Sequence, residues 1–374
     1  MPFFIEPKVE LTDKDFSSYD KIAARLGLKA YVILNEKYKK KVKGEKKESI
    51  IDHITRYEIR ENTVEKVRKI LPNVRLNYEI ISIQTSSPKV AQWVVKDNRV
   101  DILSIANISI REIITGPLAN VAAENNTFFE IDLSSLLNEK SNSSMIMRNI
   151  SRAINILLKE KVKFIFTFNV SSPLEFRDKR GIISIGKLLG VPEDIIRKNY
   201  HDFFSLVELN RNKLSDNFVA PGISIVSKEI DDSPSKLPQS DESSFNEFEF
   251  LDIPISLEEH TLTNKKLERQ RYLLFEIMIL KDEKISDKAL LETFWSAYTS
   301  LFGAVGSSRA GVYLSYYNNE ENYGILRCSN YSINSVRATL TLISKINDLP
   351  VLIHVLKTSG TIKNLKDIAR KKQK

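Results

Sequence analysis

Residues 272–363 switch repeatedly between two hydrophobic periods, and this switching restricts the fold more than any other stretch of the chain. In Tyr272–Leu280 the apolar residues Leu273, Phe275, Ile277 and Ile279 recur at every second position, the period of a strand with one buried face; Glu276 falls on the other face. Ser286 and Asp287 form a helix start, and Leu290, Phe294, Ala297, Tyr298 and Leu301 then share one helical face up to Gly303. Gly311–Tyr317 and Tyr323–Ser329 read as strands, and the turn residues 318–322 between them predict a hairpin. A second helix opens near Ser332, with Ile333, Val336, Leu340 and Ile343 spaced three and four apart, and Pro350 leads into a last strand, Val351–Leu356. The order βαββαβ predicts a ferredoxin-like split βαβ layer.

Such a layer hosts many functions, so function must come from particular residues. Tyr323-Gly-Ile-Leu-Arg-Cys328 on the third strand, Leu301-Phe-Gly-Ala-Val-Gly306 after the first helix and Thr358-Ser-Gly-Thr-Ile-Lys363 after the last strand stand in fixed order on fixed elements. Together they resemble ribonuclease P protein component 2, over roughly residues 268 to 374.

Upstream, short apolar runs alternate with helical patterns, as in a parallel α/β fold. Phe3–Glu6, Ala30–Leu34, Leu76–Ile83, Asp101–Ile105, Phe128–Ile131, Phe164–Phe168 and Ile223–Val226 are the predicted strands, with an eighth near Ile54–Ile59. Helices are expected over 63–71, 89–96, 117–124, 144–161, 175–189 and 192–212. This count suits a closed or nearly closed βα barrel, with a doubly wound sheet as the alternative. Phe4-Ile-Glu-Pro7, Val100-Asp-Ile-Leu-Ser104, Phe128-Phe-Glu-Ile131, Ser171-Ser172 followed by Arg177-Asp-Lys-Arg180, and Pro221-Gly-Ile-Ser-Ile225 resemble ribonuclease P protein component 3. That resemblance implies an irregular TIM-type βα barrel over residues 1–230, followed by an acidic linker at 231–267 and the ferredoxin-like domain at 268–374.

Charge follows the same division. Residues 1–230 hold 37 basic and 29 acidic side chains, 231–267 hold 3 and 9, and 268–374 hold 16 and 10, so two basic modules flank an acidic segment. The linker is rich in Ser, Pro and acid, the composition of a disordered tether; Phe245, Phe248 and Phe250 interrupt its acids. The Lys37–Lys47 run reads as a solvated loop. A net charge of +8 favours a polyanionic partner. A single cysteine, Cys328, excludes a disulfide scaffold, and no apolar run reaches membrane-spanning length, so a cytoplasmic protein without a membrane partner is expected.

The component 3 family resembles metal-dependent phosphoesterase barrels, which need clustered His and Asp ligands. Here His53, His201, His260 and His354 are dispersed, although the carboxylates Glu6, Glu79, Asp101, Glu130 and Asp132 stand at or near strand ends. Gly303-Ala-Val-Gly306 lacks the Gly-Lys-Ser/Thr ending of a phosphate-binding loop, no Gly-x-Ser-x-Gly occurs, and Cys328 lies on an apolar strand. No catalytic residue, metal ligand or protein-bound cofactor is therefore assigned. What the resemblances imply is a subunit of ribonuclease P, an endoribonuclease whose RNA removes the 5′ leader of precursor tRNA with Mg2+. The implied partners are that RNA, precursor tRNA, further protein subunits, and the two modules for each other, within one chain or across a homodimer. A stand-alone metal-dependent phosphoesterase and a protein adaptor without RNA remain open as alternatives.

For RNA contact, the candidates in the small module are Arg271, Arg309, Arg327, Lys357, Ser359, Gly360 and Lys363. Arg309 is expected in a flexible loop between Gly306 and Gly311, and Ser359 and Gly360 precede a terminal helix whose N–H groups suit phosphate. In the barrel the candidates are Arg99, Arg111, Lys163, Arg177, Lys179, Arg180 and Lys198, with Arg177 and Arg180 foremost because they flank a turn after a strand. Solvated charge is the competing reading for each. Tyr313 and Tyr323 are present, but the third strand lacks the aromatic pattern of an RNA-recognition-motif strand, so base stacking is not expected from it.

Overall fold

The computed structural model describes residues 4–11, 16–34, 51–105, 109–138, 143–215, 218–220, 223–224, 269–280 and 283–366. The predicted linker at 231–267, with its three phenylalanines and His260, and the Lys37–Lys47 loop lie outside the described residues.

Seven strands, β1 (Ile5–Val9), β2 (Ala30–Ile33), β3 (Asp52–Arg60), β4 (Ile80–Thr85), β5 (Ile102–Ile105), β6 (Phe128–Asp132) and β7 (Phe164–Thr167), form one parallel sheet in sequence order. Their Ile, Val and Phe residues are buried on both faces, as a parallel sheet covered by helices requires. The sheet closes just beyond β7, where Val170 donates to the Lys8 carbonyl at 3.0 Å and Glu10 donates to the Val170 carbonyl at 2.7 Å. The barrel is thus nearly closed with seven strands. Ile223–Ser224, expected as a barrel strand, pairs instead with Phe218–Ala220 in a separate antiparallel hairpin, and Val170 bridges the gap between β7 and β1.

The helices are α1 (Phe16–Arg25), α2 (Val64–Arg75), α3 (Pro88–Val94), α4 (Ile110–Ile113), α5 (Gly116–Glu124), α6 (Ser134–Asn138), α7 (Ser143–Lys159), α8 (Lys179–Leu188) and α9 (Glu193–Lys213). Helix α9 seals the end of the barrel where the strands begin. Its Phe203 and Val207 pack among Ile5, Ala30, Ile80, Ile102 and Phe128, all first residues of strands. Asn210 donates to Asp101 and accepts from Arg75, and Arg211 pairs with Glu79 and Asp52.

Residues 269–366 form the expected layer. After the hairpin strands β8 (Phe218–Ala220) and β9 (Ile223–Ser224) come β10 (Gln270–Met278), α10 (Asp287–Arg309), β11 (Tyr313–Asn318), β12 (Tyr323–Ser329) and α11 (Ile333–Leu342). A short hairpin of β13 (Lys345–Ile346) and β14 (Leu349–Pro350) precedes β15 (Leu352–Ser359). The four long strands are antiparallel in the order β11-β12-β10-β15. Leu273, Phe275 and Ile277 face α10 and α11, which supply Leu290, Phe294, Tyr298, Val336 and Leu340. Helix α10 breaks at Gly303, whose φ of 69° is left-handed, and resumes, so Arg309 stands on a helical turn and not in the expected loop.

The barrel and this layer form one compact unit. Helix α8 lies between them with Gly181 to Gly186 buried without interruption, so it has no solvent face along that run. A Cβ on Gly181 would stand 2.5 Å from Thr341 Oγ1 of α11; only glycine permits that approach. Met278, Ala338, Leu342 and Leu352 of the small domain join the barrel's apolar core.

Candidate functional site

Cross-strand register arranges the outer face of the four-stranded sheet, opposite α10 and α11, in rows. One row runs Tyr313, Arg327, Tyr272, Ser359; the next runs Tyr316, Ile325, Leu274, Lys357; the third runs Asn318, Tyr323, Glu276, His354. Leu365 is buried over the centre of this face with Leu274 and Ile325, held by the helical turn 363–366. The sheet therefore gathers Arg327, Lys357 and Ser359 from separated segments. Arg271 stands at the same end, half-buried, donating to the Gln270 carbonyl at 3.1 Å, and a Cβ on Gly360 would meet its Nη1 at 3.8 Å. Ser359 Oγ accepts from the Thr361 amide, and Gly360 and Lys363 are exposed beside it. Arg309 is exposed at the end of α10, away from these rows.

The barrel candidates do not converge. Arg99 is exposed but closes its own turn on Asp97 at 2.7 Å, and Lys163 pairs with Asp202 at 3.3 Å across the Phe128 ring; both precede strands, at the end sealed by α9. Arg111 is exposed on α4, beyond the opposite end of β5, and Lys198 is exposed on α9. Lys179 is half-buried with Nζ 5.4 Å from the Phe4 ring centre, and that burial, with Arg197 nearby, lowers its pKa.

Arg177 is the main correction. Its guanidinium is fully buried between the modules, donating to the carbonyls of Thr341 on α11, Leu174 and Phe176, and lying 5.6 Å from the Phe168 ring centre. Burial pushes its pKa down to about 10. A side chain so enclosed cannot reach a phosphate. Arg180 is exposed, but its Nη1 donates to the Leu356 carbonyl of β15 at 2.8 Å, so it too spans the interface. The same interface includes Arg337 to Ser184 at 3.2 Å, Ser344 to the Leu137 carbonyl at 2.9 Å, and Arg25 to Glu276 at 2.7 Å, with His354 on the same carboxylate at 3.1 Å. The sequence marks Arg177 and Arg180 as special through their position after a strand, but not that another domain occupies that position.

The strand-end carboxylates are already engaged by the chain's own groups. Inside the barrel Arg56 donates to Glu130, Glu58, Ser82 and the Pro7 carbonyl, and Lys8 pairs with Glu58 at 2.9 Å. Burial opposes ionisation of Glu58, but Arg56 and Lys8 outweigh it and hold its pKa at about 2. Glu6 accepts from Thr167 Oγ1 at 2.6 Å and from the Phe168 amide at 3.2 Å, and burial raises its pKa to about 8. Glu79 and Asp101 accept from Arg211 and Arg75 at the sealed end, and Asp132 accepts from the Ser134 amide at 2.8 Å. Two buried cations thus lie where a divalent ion would need free carboxylate oxygens. Among the described residues no group of three His, Cys, Asp or Glu side chains is arranged to hold a metal.

Comparison with known proteins agrees with this architecture. The family model described as RNase P subunit p30 matches residues 9–213, and the Rpp14/Pop5 family model matches residues 271–370. Ribonuclease P protein component 2 of Methanocaldococcus jannaschii is 36% identical over 106 residues, which is 28% of this chain and 76% of that protein. Ribonuclease P protein component 3 of Haloarcula marismortui is 21% identical over 174 residues, covering 46% of this chain and 74% of that protein. A chain in a cryo-EM structure of archaeal ribonuclease P with mature tRNA shares the fold, with TM-score 0.52 and 17% identity over 61% of this chain and 100% of that one. The chain belongs to the RNase P subunit p30 family through residues 9–213 and to the family of ribonuclease P protein component 2 through residues 271–370.

Proposed function

We propose that this chain is a protein subunit of ribonuclease P that binds and supports the catalytic RNA which removes the 5′ leader from precursor tRNA. The observation that carries this reading is the union of two ribonuclease P subunit families in one compact unit, joined through α8, α11 and Arg177. The phosphodiester chemistry belongs to the RNA and its Mg2+. The chain's own part is electrostatic and steric: exposed Lys and Arg side chains replace condensed counterions on a crowded RNA, while the joined modules hold their contact points at fixed separation. A stand-alone phosphoesterase is disfavoured because Arg56 and Lys8 neutralise Glu58 and Glu130 from within the barrel.

Two further parts of the reading are proposals of the same kind: a cytoplasmic site of action, and a homodimer formed through β11, the open edge of the sheet. Among the described residues no helix is long and apolar enough to cross a membrane. The test is reconstitution with the cognate ribonuclease P RNA. The protein should lower the magnesium concentration needed for precursor tRNA cleavage, because added positive charge meets part of the cation demand; an unchanged magnesium requirement, or cleavage by the protein alone, would refute it.

A further inference from the structure

The β11–β12 hairpin presents its tyrosines in a way that a regular strand does not allow. Tyr313 and Tyr316 are three residues apart and would ordinarily point to opposite faces. A bulge between Leu314 and Tyr316 adds one residue to β11, so Tyr313 pairs with Arg327 and Tyr316 with Ile325, two positions that share the outer face. Tyr323 stands next to Tyr316, with ring centres 5.6 Å apart and planes at 38°. Tyr313 is 60% exposed and Tyr316 37% exposed.

Cations accompany these rings. Arg327 Cζ lies 5.2 Å from the Tyr313 ring centre and Lys366 Nζ lies 5.8 Å from that of Tyr316. Arg327 Nε is buried without a hydrogen-bond partner among the described residues. The nearest acids on the hairpin, Glu320 and Glu321, sit at its tip, and Glu320 is paired with Lys284. Glu276, in the third row, is held by Arg25 and His354. The open part of the face therefore offers exposed π surfaces alternating with positive charge. An apolar protein partner would use the rings but would strand the cations, whereas unpaired bases use the rings and their phosphates use the cations.

We propose that Tyr313, Tyr316 and Tyr323, with Arg327 and Lys366, form a stacking platform for unpaired RNA bases. The choice of RNA over another single-stranded polyanion rests on the ribonuclease P reading. The test measures anisotropy of a labelled oligouridine of about twelve nucleotides, a length within the usual site sizes of such surfaces, against the full chain at several salt concentrations. Tyr313→Leu with Tyr316→Leu keeps apolar bulk and strand propensity but removes the rings; Tyr313→Phe with Tyr316→Phe keeps the rings. The Leu pair should bind about five- to a hundredfold more weakly per base unstacked, with an unchanged salt slope, and the Phe pair should bind within about threefold of the parent. Arg327→Ala should lower the salt slope by about one.

Equal binding by the Leu pair, at an unchanged denaturation midpoint, would overturn the platform even if reconstituted cleavage is normal. Loss of self-association in the Leu pair without loss of RNA affinity would also overturn it, by assigning the face to protein. Failure of reconstituted cleavage by the parent chain, with the tyrosine effect intact, would remove the ribonuclease P reading and leave the platform standing.

Discussion

Replacing Arg177 by methionine separates a residue that grips RNA from one that joins two domains. The side chain donates to three carbonyls, Thr341 on α11, Leu174 within the short helical turn Pro173–Glu175 and Phe176 just after it, from a fully buried position. Methionine fills a similar length, so little cavity is left, but all three acceptors lose their donor. At about 1–2 kcal/mol for each buried carbonyl left unpaired, the loss is about 3–6 kcal/mol. Removing a guanidinium whose pKa burial pushes down from 12.5 to about 10 returns about 3 kcal/mol of this, leaving a net loss of up to about 3 kcal/mol. Trp93 on α3 and Trp295 on α10 report from the two modules, so urea unfolding followed by fluorescence should show both shifting to lower denaturant. RNA affinity measured below the transition should keep its salt slope. An unchanged midpoint combined with a slope lower by about one would refute the buried placement and return Arg177 to the RNA-contact set.

Two other perturbations test the interior and the interface. Glu6 has its pKa raised from 4.5 to about 8, chiefly by burial, so the folded chain holds a proton that the unfolded chain has released; stability should fall by about 1.4 kcal/mol per pH unit between about pH 5 and 7.5, and Glu6→Gln should flatten that dependence in thermal melts while sparing reconstituted cleavage. A Glu6→Gln chain that folds and binds RNA but cannot support cleavage would instead revive a catalytic barrel. Gly181→Leu forces a side chain into Thr341, 2.5 Å from the nearest Cβ position, and should split urea unfolding into separate Trp93 and Trp295 transitions; a single unshifted transition would show that the helices do not depend on this contact.

The small domain was legible almost element by element because local periodicity matches its sheet and helices: Tyr323–Ser329 is a strand with the expected ends, and Ser286 caps α10 through the Ala289 amide. The barrel was legible as a class, and less so in detail. Ile223–Val226 reads as a barrel strand as readily as Ile54–Ile59, which lies in β3, since an apolar run carries no information about which sheet it joins. Helix α1 leaves a weak mark in the sequence although Phe16, Tyr19 and Ala23 share its buried face, because its polar residues mask a short pattern. Site residues were harder for a physical reason. A basic side chain reads alike whether it faces solvent or, as with Arg177, the backbone of another domain. The aromatic face was invisible for a different one: a bulge reverses the side of Tyr316, and strand alternation gives the wrong face.

Helix α8 has a consequence beyond stability. Sheathed from Gly181 to Gly186 by the barrel on one side and α11 on the other, it is structurally common property, and neither module can turn without exposing it. The barrel and the sheet then present their exposed side chains as one body rather than as two. On the proposed reading, an RNA that met exposed side chains of both modules would have to bring its own segments to their spacing, and the chain would sort RNA conformations by distance.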